Sequence, residues 1–325
     1  MSVNKKSNLT PDSFKSTKDY LDKLCDLANV EYSSIQVDFK NFENDYIKLS
    51  FRYCQEIIKY HSKTFSLATS LLDGDRQNAI ISLYGFCRIT DDIIDKDLDH
   101  GEKILEEWQK ATHSNRIDIT DPVLFSWLYT RQKYKIPIGY MDQLINGVKM
   151  DTVKFRYETY EELVEYCYSV ASTVGLMSMH IIGFTSDKAF RYSIQMGIAL
   201  QLTNIIRDVG EDYKMGRIYL PQEELDHFGI TENHFKNQIV DDNWKKLMAF
   251  QIDRARKYYT DSWKGLAYLE PKGKWAIAAA ATMYREILKI VERNNYDNLN
   301  QRAFVSKKRK LYLLSKLIVK LLPNE

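Results

Sequence analysis

Apolar side chains recur at helical spacing along most of the chain: Tyr46, Leu49, Tyr53 and Ile57, then Ala79, Leu83, Phe86 and Ile94, then Leu163, Tyr166, Val170 and Val174. A period near 3.6 predicts amphipathic helices that each bury one stripe. Alternating strand-like runs are scarce. No proline occurs between Gly139 and Pro221, so long uninterrupted helices are expected there. Breaks are predicted at 72–76, 100–101, 135–139, 215–221 and 271–273, where glycine, proline or charged turn residues gather. These breaks separate helices rather than domains, so the expectation is one all-α domain over residues 46–325. Residues 1–45 read as an N-terminal extension, polar and disordered over residues 1–12, with a short amphipathic helix over 13–29 carrying Tyr20, Leu24 and Leu27.

Composition narrows the class. Apolar residues make up 44% of the 325 and charged residues 28%, enough to bury a core. Lys plus Arg number 46 against 44 Asp plus Glu, so there is no basic field and nucleic acid is not an expected partner. Cys25, Cys54, Cys87 and Cys167 are too scattered for a zinc site or a disulfide framework, and read as reduced thiols of a cytoplasmic protein. The basic N-terminus has no apolar core behind it, and the apolar stretches at 170–184 and 311–322 are interrupted by polar groups, so neither a secretory signal nor a membrane span is expected.

Two acidic segments carry the candidate chemistry. Tyr84, Arg88, Asp91 and Asp95 are spaced i, i+4, i+7, i+11, and so share one helix face. Gln201, Asn204, Asp208 and Asp212 repeat nearly the same spacing on a second helix. Each set ends in an i, i+4 aspartate pair whose Cβ atoms lie roughly 6 Å apart, a spacing suited to magnesium, which binds carboxylate oxygens and keeps several waters. One such pair alone is an ordinary solvated face. Two in one chain, the second preceded by the neutral oxygens of Gln201 and Asn204, point to a diphosphate whose departing charge metal ions neutralise. No P-loop and no protein-kinase motif set occurs.

With those motifs in hand, the chain resembles the squalene and phytoene synthase family over about residues 50–312. The matching segments are His61-Ser-Lys-Thr-Phe65, the aspartate motif at 91–95, Tyr166-Cys-Tyr-Ser-Val-Ala-Ser-Thr-Val-Gly175, the stretch from Gly197 through Asp212, and Arg217-Ile-Tyr-Leu-Pro221. The resemblance implies a class I isoprenoid synthase fold, a single helical domain around a central cavity with the aspartate motifs facing each other at its mouth. It implies metal ligation by Asp91, Asp95, Asn204, Asp208 and Asp212, with Asp92 as a helper behind them. The ion would be magnesium, with manganese as the alternative. His61, Ser62, Thr64, Arg88, Gln201, Arg207, Tyr284 and Arg302 would bind the substrate headgroups. Phe65, Tyr84, Tyr166, Val170 and Gly175 would line the cavity, with Tyr166 and Arg88 counted among the catalytic groups. Asp151, following Gln143 and Gly147, is expected at the cavity rim. Arg88 and Arg207 pairing with their neighbouring aspartates, and Arg302 lying in a basic tail, stand as the plain alternatives.

The implied reaction joins two allylic diphosphates head to head. Geranylgeranyl diphosphate and phytoene are favoured because the motifs look nearer the bacterial carotenoid enzymes and because Thr69, one turn beyond Phe65, is small on an expected tail-channel face. On this reading no NADPH is needed. The C15 enzymes that make presqualene, squalene or diapophytoene share every motif used, and a non-catalytic assembly factor or a class I terpene cyclase are the remaining alternatives. The segment 302–322 interleaves lysine and leucine, which reads either as a membrane-surface helix or as a packed terminal helix. The oligomeric state is not legible.

Overall fold

The computed structural model describes residues 17–33, 37, 39, 44–96, 100–114 and 121–321. The expected disorder over residues 1–12 lies outside them. The elements in chain order are α1 (Thr17–Leu27), α2 (Asn44–His61), α3 (Lys63–Thr69), α4 (Gly74–Lys96), α5 (Gly101–Thr112), α6 (Pro122–Lys133), α7 (Ile138–Val153), α8 (Tyr160–Cys167), a π-turn (Tyr168–Ser172), α9 (Thr173–Ile182), α10 (Lys188–Lys214), α11 (Gln222–Phe228), α12 (Glu232–Lys236), α13 (Asp242–Ser262), a 3-10 turn (Trp263–Tyr268), α14 (Pro271–Arg293) and α15 (Lys307–Leu321). Among the described residues the only β pairing is two isolated bridges, Arg156 with Ile218 and Phe184 with Leu269. The expected all-α fold is the observed one.

The longest helix, α10, is the hub, packing against α8, the π-turn, α9, α13 and α14. It is buried along Ile198, Leu202, Ile205 and Ile206. Close approach to it depends on glycine: a Cβ at Gly197 would stand 2.5 Å from the Ser172 Cα, closer than packed atoms tolerate. α9 packs on both α4 and α10 and so holds apart the two helices that bear the aspartates.

Local chemistry sets the helix ends. Ser62 caps α3 by accepting from the Phe65 amide, and Asp121 caps α6 by accepting from the Val123 and Leu124 amides. The break expected at 271–273 is instead a start, with Pro271 at the first turn of α14, where its missing N–H costs nothing.

Two expectations about faces change. On α2 the buried stripe is Ser50, Cys54 and Ile58, while Leu49 and Tyr53 are about half exposed. The reason is α4: a Cβ at Gly85 would meet the Cys54 Sγ at 2.9 Å, so the crossing admits only small side chains. In α1, Leu21 and Leu24 are buried and Leu27 faces solvent. The extension lies along the domain. The Tyr20 hydroxyl donates to the Glu161 carbonyl at 3.1 Å and the Tyr140 hydroxyl to the Ala28 carbonyl at 2.7 Å.

Candidate active site

α4 places Arg88, Asp91, Asp92 and Asp95 on its last turns. Arg88 donates to Asp91 at 3.4 Å and also pairs closely with Asp92. Asp92 is buried, so it holds the guanidinium from behind and does not face the cleft as its neighbours do. The Asp91 side chain keeps 46% of its surface accessible to solvent, although protein atoms crowd its carboxyl group. Burial, followed by the like charge of Asp95, pushes its carboxyl up to about 7.

α10 places the second set. The Arg207 guanidinium grips Asp208 through Nε at 2.8 Å and Nη2 at 2.5 Å, and Arg302 adds an Nε contact to the same carboxylate at 2.8 Å. Burial alone would raise Asp208, but these two guanidinia outweigh it and hold the carboxyl below its usual range. One turn on, Asp212 has no such clamp. Burial and then Asp208 push it up to about 8. The plain alternatives for Arg88 and Arg207 therefore describe what these side chains do in the protein without substrate, whereas Arg302 pairs with Asp208 rather than lying free in a basic tail.

A network absent from the sequence reading links the two sets. Arg217, 5% exposed on the extended segment after α10, donates through Nη1 to Asp95 Oδ1 at 3.0 Å. It also adds favourable charge to Asp151 and Asp212. Asp151 on α7 accepts from the Tyr166 hydroxyl at 2.9 Å and the Tyr219 hydroxyl at 3.0 Å. Tyr157, Tyr166 and Tyr219 form a ring cluster, with centroids 5.1–5.8 Å apart. Arg217 and Tyr219 lie two apart in an extended run, so they share a side, a signal that was present in the segment Arg217 to Pro221. Asp151 is buried. Gln143 does not join it, since it binds the Tyr168 hydroxyl and the Leu27 carbonyl, and Gly147 only lets α7 close on Ser169.

Beyond the polar groups the cavity becomes apolar. Phe65 lies between Tyr84 and Tyr284, with centroids at 6.1 and 5.1 Å, and Arg207 stands 6.0 Å over the Tyr284 ring. The lining continues along Val174, Gly175, Gly197 and Leu200 toward Ala189 and Leu269. Val170 sits on the π-turn and packs on the same core, while Gln201 accepts from the Asn204 amide at 3.2 Å. The Ser62 hydroxyl is engaged as a helix cap, His61 is exposed at the end of α2, and Thr64 is partly exposed in the first turn of α3. Thr69 is buried one turn from Phe65 on the same face of α3, and its hydroxyl donates to the Ser66 carbonyl at 3.0 Å.

A family model described as squalene/phytoene synthase matches residues 58–309. The chain belongs to the squalene/phytoene synthase family. It is 40% identical to a phytoene synthase of Arthrospira platensis over 82% of this chain and 91% of that one. A chloroplastic phytoene synthase of Daucus carota is 39% identical over 80% of this chain and 68% of its own length. Among solved structures, a dehydrosqualene synthase with bound ligand matches with a TM-score of 0.78 at 32% identity, covering 85% of this chain and 98% of its own. The chain is thus a prenyltransferase of the isoprenoid synthase fold.

The donor set suits the divalent metal that this family generally uses. Asn204 Oδ1 is buried with no partner among the described residues, and the carboxyls of Asp91 and Asp212 are each raised by burial and by a like-charged neighbour, a penalty on the ionised form that a divalent cation would offset. No three carboxylate, imidazole or thiolate groups converge among the described residues, so each aspartate pair fits an ion that completes its shell with phosphate oxygens and water. Arg88 Nε and Arg217 Nε are likewise buried without partners and offer donors for an anion.

Proposed function

We propose that the protein condenses two molecules of geranylgeranyl diphosphate head to head into phytoene through a cyclopropylcarbinyl diphosphate. The carrying observation is the pair of acidic helices linked through Arg217, in a chain that also holds an apolar cavity lined by Phe65 and is up to 40% identical to phytoene synthases over most of its length. Magnesium, or manganese in its place, would be held by Asp91, Asp95, Asn204, Asp208 and Asp212. Bound there, it supplies positive charge to the leaving diphosphate.

The first donor loses diphosphate by breaking its C1–O bond. The double bond of the second substrate attacks that C1, and loss of one proton closes the cyclopropane. The second C1–O bond then breaks, the skeleton rearranges and a further proton leaves, giving phytoene with no reductant consumed. Arg88, Arg207, Arg302 and Tyr284 bind the diphosphates. Their guanidinia are released from Asp91, Asp92 and Asp208 as the anion arrives, which links substrate entry to cation uptake. Phe65 and Tyr84 turn ring faces toward the cationic carbon and keep water away. Burial keeps Tyr166 protonated. Its proton is directed to Asp151 Oδ2, so its oxygen lone pairs are free for the passing cation.

Dehydrosqualene synthase likeness favours a C15 substrate as the second reading. Purified protein is incubated with magnesium and C15 or C20 diphosphate, with and without NADPH, and the hydrocarbon identified by mass. Phytoene formed independently of NADPH is expected. A C30 product alone overturns the C20 reading, and no hydrocarbon from either substrate overturns the enzyme.

The substrates are lipids, and we place the enzyme at the cytoplasmic surface of a membrane. No helix among the described residues is long and apolar enough to cross one. α15 packs on α14 through Leu313 and Leu317, yet leaves Leu311 and Tyr312 exposed beside lysines, with Phe304 76% exposed nearby. Flotation with anionic vesicles, lost in Phe304→Ser/Leu311→Ser, is the expected behaviour.

A further inference from the structure

The apolar cavity is walled on two sides by α9 and α10, which run antiparallel across the short turn at 183–187. Its lining on α10 begins at Leu200, next to the polar Gln201, and ends at Ala189. At the helical rise, Leu200 to Ser193 is about 10 Å and Leu200 to Ala189 about 16 Å. Toward that end Tyr192 lines the cavity and stacks on Tyr268, with centroids 5.7 Å apart, and Gly265 packs against Tyr192.

An extended isoprene unit is roughly 5 Å long from ordinary carbon–carbon bond lengths. The unit bearing the reacting carbon belongs at the mouth, between Phe65, Tyr84 and the polar row. Two further units of a C15 tail then reach about as far as Ser193, while a third unit, present only in a C20 tail, fills the stretch from Ser193 to Ala189.

The walls of that last stretch are small side chains. Ser193 faces Gly175, where an added Cβ would stand 2.8 Å from the Ser193 hydroxyl oxygen. Ser178, one turn along α9, also lines the cavity. Its hydroxyl donates to the Val174 carbonyl at 2.8 Å, which turns the polar group into its own helix and leaves an apolar, narrow wall. Neither serine touches the aspartates or the diphosphate-binding arginines. We infer that Ser193 and Ser178 gauge chain length: their small size admits the fourth isoprene unit, and the residue at either position decides between C20 and C15 tails. This rests on the substrate reading above.

The test compares wild type with Ser193→Phe and Ser178→Phe, each checked for its fold by circular dichroism. Two measurements are made: the ratio of C20 to C15 turnover, and the rise in Tm given by each diphosphate in chelator, where no reaction runs. The expected result is a C20 to C15 ratio at least about tenfold lower in both variants, a shift on the scale of one lost apolar subsite. The C20 stabilisation should be lost and the C15 stabilisation kept. Should the phenylalanines prevent folding, Ser193→Leu carries the same test with a smaller shift. A folded variant that keeps the wild-type ratio and the wild-type C20 stabilisation overturns the gauge. A wild-type enzyme that accepts only C15 substrate overturns the substrate reading instead.

Discussion

Arg217 donates to Asp95 across 3.0 Å, and so ties the segment that follows the second acidic helix to the end of the first. The same guanidinium is the nearest compensating charge for Asp151 and one of the few acting on Asp212. Three carboxylates on three elements thus depend on one cation.

Arg217→Ala should therefore both weaken and inactivate the protein. Removing one partner of a buried pair costs about 3–5 kcal/mol, but Asp95 keeps 32% of its side-chain surface, so about 2 kcal/mol is expected here. Urea denaturation measures the stability loss, and turnover should fall by about 100-fold because Asp95 and Asp151 lose their positions. Near-normal turnover in the alanine variant would show that the link is only structural.

Tyr166→Phe separates chemistry from folding. The ring and its stack on Tyr219 remain, and Asp151 keeps its bond from Tyr219, so stability should drop by only about 1 kcal/mol. Turnover should drop by about 100-fold or more with KM little changed, since a group that acts on the cationic intermediate is lost while headgroup binding is not. Steady-state kinetics decide it, and a raised KM at unchanged kcat would assign Tyr166 to binding alone.

The two aspartate pairs differ in a way that the matching spacings conceal. Asp208 is clamped by two arginines, and Asp91 stands against Asp95 in a cleft. Both Asp91→Asn and Asp208→Asn should abolish most turnover. In chelator, however, Asp91→Asn should raise Tm by relieving like-charge repulsion, whereas Asp208→Asn should lower it by leaving Arg207 with a weaker partner. Melting curves without metal test this opposition. Equal shifts of one sign would deny the asymmetry.

How far the sequence told this story follows from the physics of each element. The two aspartate faces were legible because spacing on a helix fixes which residues share a face, whereas Tyr166 and Phe65 entered only with the family resemblance of their segments. The α2 face was misread because Leu49 and Tyr53 outrank Ser50 and Cys54 in hydropathy, while the α4 crossing at Gly85 selects for size. The π-turn at Tyr168–Ser172 leaves no periodic signature, since it adds a single residue to a turn that still reads as helix. Arg217 and Tyr219 were on view in their motif, but their link to Asp151 and Asp95 joins residues up to 122 apart in sequence, and only the folded chain brings them together.

Close packing at the π-turn gives a prediction that needs no substrate. An added methyl at Gly197 would stand 2.5 Å from the Ser172 Cα and 2.6 Å from its backbone nitrogen, and neither backbone atom can swing away. Gly197→Ala should cost about 1–3 kcal/mol, the usual range for overpacking. Because Tyr166 precedes that turn, the surviving folded fraction should also turn over more slowly. An unchanged midpoint in urea would mean that α10 slides freely over the turn.

The metal-free protein should lose stability as pH rises. The carboxyls of Asp91 and Asp212 are pushed up to about 7 and about 8 from an ordinary value near 4, chiefly by burial and then by Asp95 and Asp208 respectively. A folded state with raised pKa values binds more protons than the unfolded chain between those limits, so stability falls with increasing pH through that window. Whatever these two groups contribute is fully present below about pH 4 and gone above about pH 8. Asp208, held low by Arg207 and Arg302, acts in the opposite sense and loses its contribution only in acid. Melting curves in chelator should therefore decline from pH 5 to pH 8 more steeply for wild type than for the double variant Asp91→Asn/Asp212→Asn. Added magnesium should flatten the wild-type decline, since a bound divalent cation favours the ionised carboxylates that proton loss exposes. Parallel curves for wild type and double variant would show that these carboxyls titrate normally, and would remove the electrostatic reason for a cation at the cleft.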